Sequence, residues 1–124
     1  MNSADPIARV LVIAGSDSGG GAGIQADIKT ITMLGGHAMT AVTSVTAQNT
    51  MGVKAVHPVP PAMVLAQIDA VVDDIGCDAI KIGMIGSAET AHAVADYLER
   101  SERVPVVFDP VMVATSGSVL ADPE

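Results

Sequence analysis

The stretch GSDSGGGAG, residues 15–23, holds five glycines in nine positions, with Asp17 inside it and Asp27 just past its end. Glycine takes backbone angles that other residues resist and lets a ligand come close to the chain. Between a strand and a helix, such a turn suggests a small-molecule site. Two familiar loop chemistries can be checked directly. A phosphate-cradling G-x-x-x-x-G-K-[ST] loop needs a lysine and a hydroxyl after its last glycine, but Ile24 and Gln25 follow Gly23. The dinucleotide pattern G-x-G-x-x-[GA] is met by Gly21, Gly23 and Ala26. That fold wants an acid about 20 residues further on to hold the ribose, and no Asp or Glu stands between Asp27 and Asp69. A purely structural glycine turn is the ordinary alternative.

Other residues capable of chemistry are few. Gln48 and Asn49 follow a run rich in Val and Thr, GMIG occupies residues 83–86, and Asp109 opens DPVM. Asp109 precedes Pro110 and would equally suit a turn. Asp27 would equally suit a solvated carboxylate in the first turn of a helix. His37, His57 and His92 lack the spacing of metal ligands and read as structural or surface residues. The single cysteine, Cys77, excludes an internal disulfide and a cysteine-cluster metal site, and reads as a small core residue.

The elements that must position these residues follow from periodicity. RVLVIA, residues 9–14, reads as a buried strand, and Ile24, Ile28, Ile31 and Leu34 mark the inward face of a helix over residues 23–34. Gly35 and Gly36 stop that helix. Residues 38–47 read as a second strand. VKAVHPV suits only a short edge strand, because Pro58 and Pro60 exclude a central one. Pro61 suits the first position of a helix running to about Ile75, with Val64, Leu65, Ile68, Val71, Val72 and Ile75 on one face. AIKIGM, 79–84, reads as a third main strand. Ser87 suits an N-cap for a helix turning Ala91, Val94, Ala95 and Leu98 inward. VPVVFD, 104–109, is the fourth main strand. This strand–helix alternation predicts an α/β fold with a mostly parallel sheet and right-handed crossovers. Ligands in such sheets lie beyond the carboxyl ends of the strands. The glycine loop, Gln48-Asn49, GMIG and DPVM all fall there, and that coincidence favours a ligand over a structural turn.

Composition narrows the partners. The chain has 124 residues, is 49% hydrophobic and 16% charged, and carries a net charge of −8. It is therefore one domain at most, of globular composition. Nucleic acid and anionic membrane are excluded as partners, since both call for a cationic footprint. No apolar run reaches the length of a membrane span. The first ten residues lack a signal peptide's pattern, so the cytoplasm is the expected location. Only Tyr97 and Phe108 are aromatic, so the core must be aliphatic, as buried parallel strands prefer.

AGSDSGGGAGIQADIKT, VTSVTAQNTMGV, KIGMIGS and DPVMVATSG stand in the order, and at about the spacing, found in the hydroxymethylpyrimidine/phosphomethylpyrimidine kinases of thiamine biosynthesis. The sequence resembles that family from Val10 to Gly117. The resemblance implies a ribokinase-like fold, with a mostly parallel sheet, helices on both faces, and an end after about the fourth core strand. Residues 1–124 would then be the N-terminal part of a single kinase domain. It implies phosphorylation by ATP, with Mg2+, of 4-amino-5-hydroxymethyl-2-methylpyrimidine and then of its monophosphate. Gln48 would hydrogen-bond the aminopyrimidine, and a carboxamide does offer both the donor and the acceptor that the ring presents. Gly15, Ala22 and Asp27 match loop positions around the substrate. Met84 and Val111 would wall the ring, and Asp109 would lie near the magnesium and the nucleotide phosphates.

Two departures accompany the resemblance. Thr115 stands where many relatives have lysine, and the G-T-G-C anion-hole segment of the family's second half occurs nowhere in these residues. No catalytic residue is therefore assigned within them. Two other readings stay open: a pyridoxal or pyridoxine kinase of the same superfamily, and a shortened product that binds a pyrimidine without catalysis. The small-molecule substrate is the expected partner, and room is left for a homo-oligomer.

Overall fold

Residues Leu11 to Gly15 are buried without a break, so the first strand is covered on both faces, as the central strand of a parallel sheet must be. The computed structural model describes residues 6–109. The elements in order are β1 (Arg9–Ser16), α1 (Gly23–Met33), β2 (His37–Asn49), β3 (Gly52–Pro58), α2 (Pro61–Asp74), β4 (Ala79–Ile82), α3 (Ala88–Arg100) and β5 (Val106–Phe108). They form one five-stranded sheet in the order β3-β2-β1-β4-β5. β2, β1, β4 and β5 run parallel, and β3 pairs antiparallel on the outside of β2. The proline-bearing strand is at the edge, as its missing amide donors require.

Helices lie on both faces. Leu11 and Ile13 of β1, Met39 and Ala41 of β2, and Ile80 and Ile82 of β4 form one core with Val64 and Ile68 of α2 and Val94 of α3. α1 lies against β1 and β2, over the opposite set of residues that includes buried Val12 and Ala14. The register sets Lys81 of β4 beside Val12, and Lys81 pairs with Asp27 of α1.

Local chemistry fixes the ends. Pro61 starts α2. The Ser87 hydroxyl accepts from the Thr90 amide and caps α3. Gly35 (φ +88°) ends α1 and Gly76 (φ +76°) follows α2, both in the left-handed region where glycine is favoured. From the middle of α2, the Gln67 carboxamide accepts from Val42 N at 2.9 Å and donates to Val42 O at 3.0 Å. It thereby satisfies a stretch of β2 that β3 does not reach.

The apolar face expected on α1 is only half used. Ile24 and Ile31 are half-buried, but Ile28 is 36% exposed and Leu34, which caps the helix, is 82% exposed. α1 leans on two strands only, and nothing among the described residues covers its outer flank. Ile75 and Ala95, also expected to face inward, are exposed for the same reason at the ends and margins of their helices.

Candidate functional site

The four parallel strands deliver their carboxyl ends to one edge of the sheet. There stand the glycine loop after β1, Gln48 at the end of β2, Gly83–Gly86 after β4, and Asp109 after β5. Asp109 N donates to Ile82 O at 2.9 Å and continues the β4–β5 ladder, with its carboxylate exposed. Val111 lies outside the described residues, as does Thr115.

Asp17 organises the glycine loop. Its carboxylate is 7% exposed and accepts from the amides of Gly19 at 2.8 Å, Gly21 at 3.0 Å and Ala22 at 2.9 Å. The amide of Gly20 donates to its carbonyl oxygen. The loop amides ahead of α1 are thus engaged by the chain's own carboxylate. Gln25 of α1 accepts from Asp17 N and donates to the Ser16 hydroxyl, tying the helix back to the end of β1. Gly23 has φ +59°, and a Cβ there would strike the carbonyl oxygen of Gly15. The close approach that requires glycine at 23 is therefore between the loop and β1. Gly21 has no such neighbour; the nearest atom to a Cβ there is 3.9 Å away.

Gln48 is held against this loop. The Ser18 hydroxyl donates to Gln48 O at 2.6 Å and accepts from Gln48 N at 2.7 Å. The Thr46 hydroxyl donates to Ser16 O at 2.7 Å and lies 3.2 Å from Gln48 Oε1. A shift of register between Ala47 and Gln48 in the β2–β3 pair sits at this point, a usual way to re-aim a side chain next to a site. Gln48 is half-buried, and among the described residues its carboxamide nitrogen donates to no group.

Gly15 and Met84 meet directly. A Cβ on residue 15 would clash with the Met84 methyl and lie 2.9 Å from the Ser44 hydroxyl. Asp27 and Lys81 form a 2.9 Å ion pair with side chains 21% and 25% exposed. It lies under Gly83, where a Cβ would be 3.4 Å from the ammonium group. The structure thus brings Gly15, Met84 and Gln48 onto the strand ends around one loop. Asp27 is turned to a lysine on the α1 side, and Ala22 serves as the N-cap position of α1.

Several members of this arrangement escape a reading by motif: Asp17, Ser18, Thr43, Ser44 and Lys81. Asp17 carried a signal, since an Asp followed by glycines favours a turn in which its side chain bonds amides two or more residues on. Lys81 carried one too, as a lone cation in an apolar strand must find an acid.

The residues at the sheet edge are those on which the sequence resembled the pyrimidine kinases, and direct comparison settles the family. Residues 17–124 match the phosphomethylpyrimidine kinase family. The chain belongs to that family. It is 55% identical over 116 residues to the hydroxymethylpyrimidine/phosphomethylpyrimidine kinase of Mycobacterium bovis, a match spanning 93% of this chain and 42% of that protein. It resembles the crystal structure of phosphomethylpyrimidine kinase from Clostridium difficile at a TM-score of 0.85 and 45% identity, covering 94% of this chain and 50% of that one. Pyridoxal kinase of Staphylococcus aureus, in complex with AMP-PCP and pyridoxal, gives a TM-score of 0.77 at 35% identity, covering 90% of this chain and 42% of that one. The chain therefore spans about half the length of these kinases or less. Their ribokinase-like architecture is the one described above.

His37, His57 and His92 are all exposed, and among the described residues no group of three or more His, Cys, Asp or Glu is placed to hold a metal. Cys77 packs against the core, and burial pushes its thiol up, away from thiolate chemistry. Among the described residues no helix is long and apolar enough to cross a membrane.

Proposed function

We propose that the protein takes part in ATP-dependent phosphorylation of 4-amino-5-hydroxymethyl-2-methylpyrimidine and of its monophosphate, and that residues 15–109 form the pyrimidine side of that site. The observation that carries this reading is the clasp between Gln48 and the glycine loop. It holds a carboxamide at the same strand ends that carry the Gly15–Met84 contact. A planar aminopyrimidine stacks on an apolar, polarizable thioether and pairs its edge with an amide. Asp17 holds the loop in shape through the amides of Gly19, Gly21 and Ala22.

Asp109 offers a single exposed carboxylate at the strand end. That fits magnesium, which is usually held by one or two carboxylates together with substrate phosphates. When bound, the metal would supply charge neutralisation for phosphoryl transfer. The residues of this chain bind and orient the acceptor.

Release of ADP by a kinase that carries these residues together with a G-T-G-C segment, measured with hydroxymethylpyrimidine, its monophosphate and pyridoxal as acceptors, tests the proposal. The two pyrimidines are expected to support turnover at higher kcat/KM than pyridoxal. A preference for pyridoxal would contradict it.

A further inference from the structure

The parallel pairing of β1 with β2 is regular except at one place. Ala14 pairs with Val42 and Ser16 with Val45, so Thr43 and Ser44 together oppose the single residue Gly15. A bulge of this kind breaks the alternation of side chains. The Ser44 hydroxyl ends up beside Gly15, and both residues are buried, Thr43 at 1% and Ser44 at 0% exposure. The Thr43 hydroxyl donates to the backbone carbonyl of Met84 at 2.6 Å. The carbonyl of Thr43 accepts from Val59 N at 2.9 Å, which anchors the bulge to the segment after β3. Ser44 Oγ has no hydrogen-bond partner and lies beside the Met84 methyl at Gly15. Three small residues on two strands therefore make a seat for one thioether. Gly15 leaves the space, Ser44 lines it, and Thr43 fixes the backbone of the residue that fills it.

We infer that Thr43 is a positioning residue for the Met84 wall, and that the β2 bulge sets how far Met84 projects towards a flat heterocycle; the ligand half of this inference rests on the pyrimidine reading above. Met84 stands at the start of the loop after β4, where its backbone is not held by a strand ladder. Without the Thr43 hydroxyl its carbonyl loses a buried donor, and the flexible side chain has several other rotamers available. A wall that moves by a fraction of an ångström loses its contact with a ring.

The test compares Thr43→Val, which keeps the shape and removes the donor, with Thr43→Ser, which restores the donor. The first readout needs no ligand: the nuclear Overhauser contact between the Met84 methyl and the α-protons of Gly15. The second is calorimetric affinity for hydroxymethylpyrimidine. Thr43→Val is expected to lose the methyl–glycine contact and weaken pyrimidine binding roughly tenfold, the worth of one buried hydrogen bond. Thr43→Ser is expected to keep both. If Thr43→Val does not fold, Thr43→Ala and Thr43→Ser are compared by the same two readouts. An unchanged methyl–glycine contact in the variant without the hydroxyl overturns the seat. A lost contact with unchanged pyrimidine affinity overturns the role in recognition while leaving the pyrimidine site standing. If the unsubstituted protein does not bind the pyrimidine, the reading of the substrate fails, and the methyl–glycine contact alone decides the seat.

Discussion

Asp17 is the residue on which the shape of the glycine loop depends. One buried carboxylate satisfies three amides, and bonds to a charged acceptor are the stronger kind. Asp17→Ala should therefore lower stability by ~1–3 kcal/mol in a denaturant titration and weaken pyrimidine binding in parallel. Unchanged stability would mean that water replaces the carboxylate without cost. A second carboxylate acts far from the site. Asp78 accepts from Arg9 N, Nε and Nη2, and these hydrogen bonds hold its carboxyl at about 2, below the usual carboxylate range. A depressed folded value gives stability that is present above the unfolded value of about 4 and lost as pH falls through about 2. The slope of stability against pH between those limits should be shallower in Asp78→Asn, measured by melting at several pH values; an identical slope contradicts the assignment. At this scale the sequence was readable where a residue announced its need. Gln48 stood out by type and by resemblance. Thr43 and Ser44 did not, because a bulge shifts the register by one residue, and no period-two pattern sets both residues opposite Gly15.

Elements were the most legible level, since each one's limits come from local chemistry. Pro61, Ser87, Gly35 and Gly76 mark helix ends by mechanisms that need no tertiary contact. All three helices and all five strands lie where periodicity puts them, with shifts of one to two residues at most ends. What periodicity could not show is which part of an apolar face finds a partner, hence the exposed Ile28 and Leu34 on α1. Nor could it separate the glycines of the loop by role. Gly23 sits at positive φ against the Gly15 carbonyl, whereas Gly21 borders open space. Gly23→Ala should thus cost ~2 kcal/mol or more through backbone strain and the displaced start of α1. Gly21→Ala should stay within about 0.5 kcal/mol, as substitutions at open surface sites do. Thermal melts of the two variants check this, and equal losses would refute the distinction.

For the molecule as a whole, the strand–helix alternation pointed to a mostly parallel sheet, and that sheet places the glycine loop, Gln48, Gly83–Gly86 and Asp109 on one edge. That gathering was legible because right-handed crossovers leave few alternatives. The bonds that turn the gathering into a site were not, since they depend on side chains meeting across 30 to 54 residues of chain, such as Ser18 with Gln48 and Asp27 with Lys81. β5 is an outer strand of the described sheet, with Val106, Val107 and Phe108 between 44% and 61% exposed. An open apolar strand of that kind is a surface for pairing with further chain. The central claim is that the strand ends described here recognise an aminopyrimidine through Gln48. Its most direct test is calorimetric titration of hydroxymethylpyrimidine, and separately of ATP, onto the protein and its Gln48→Ala variant. The account predicts that the variant loses ~1–3 kcal/mol of pyrimidine binding, the cost of leaving polar edges unpaired, with ATP affinity unchanged. Equal losses for both ligands, or undiminished pyrimidine binding, would contradict it.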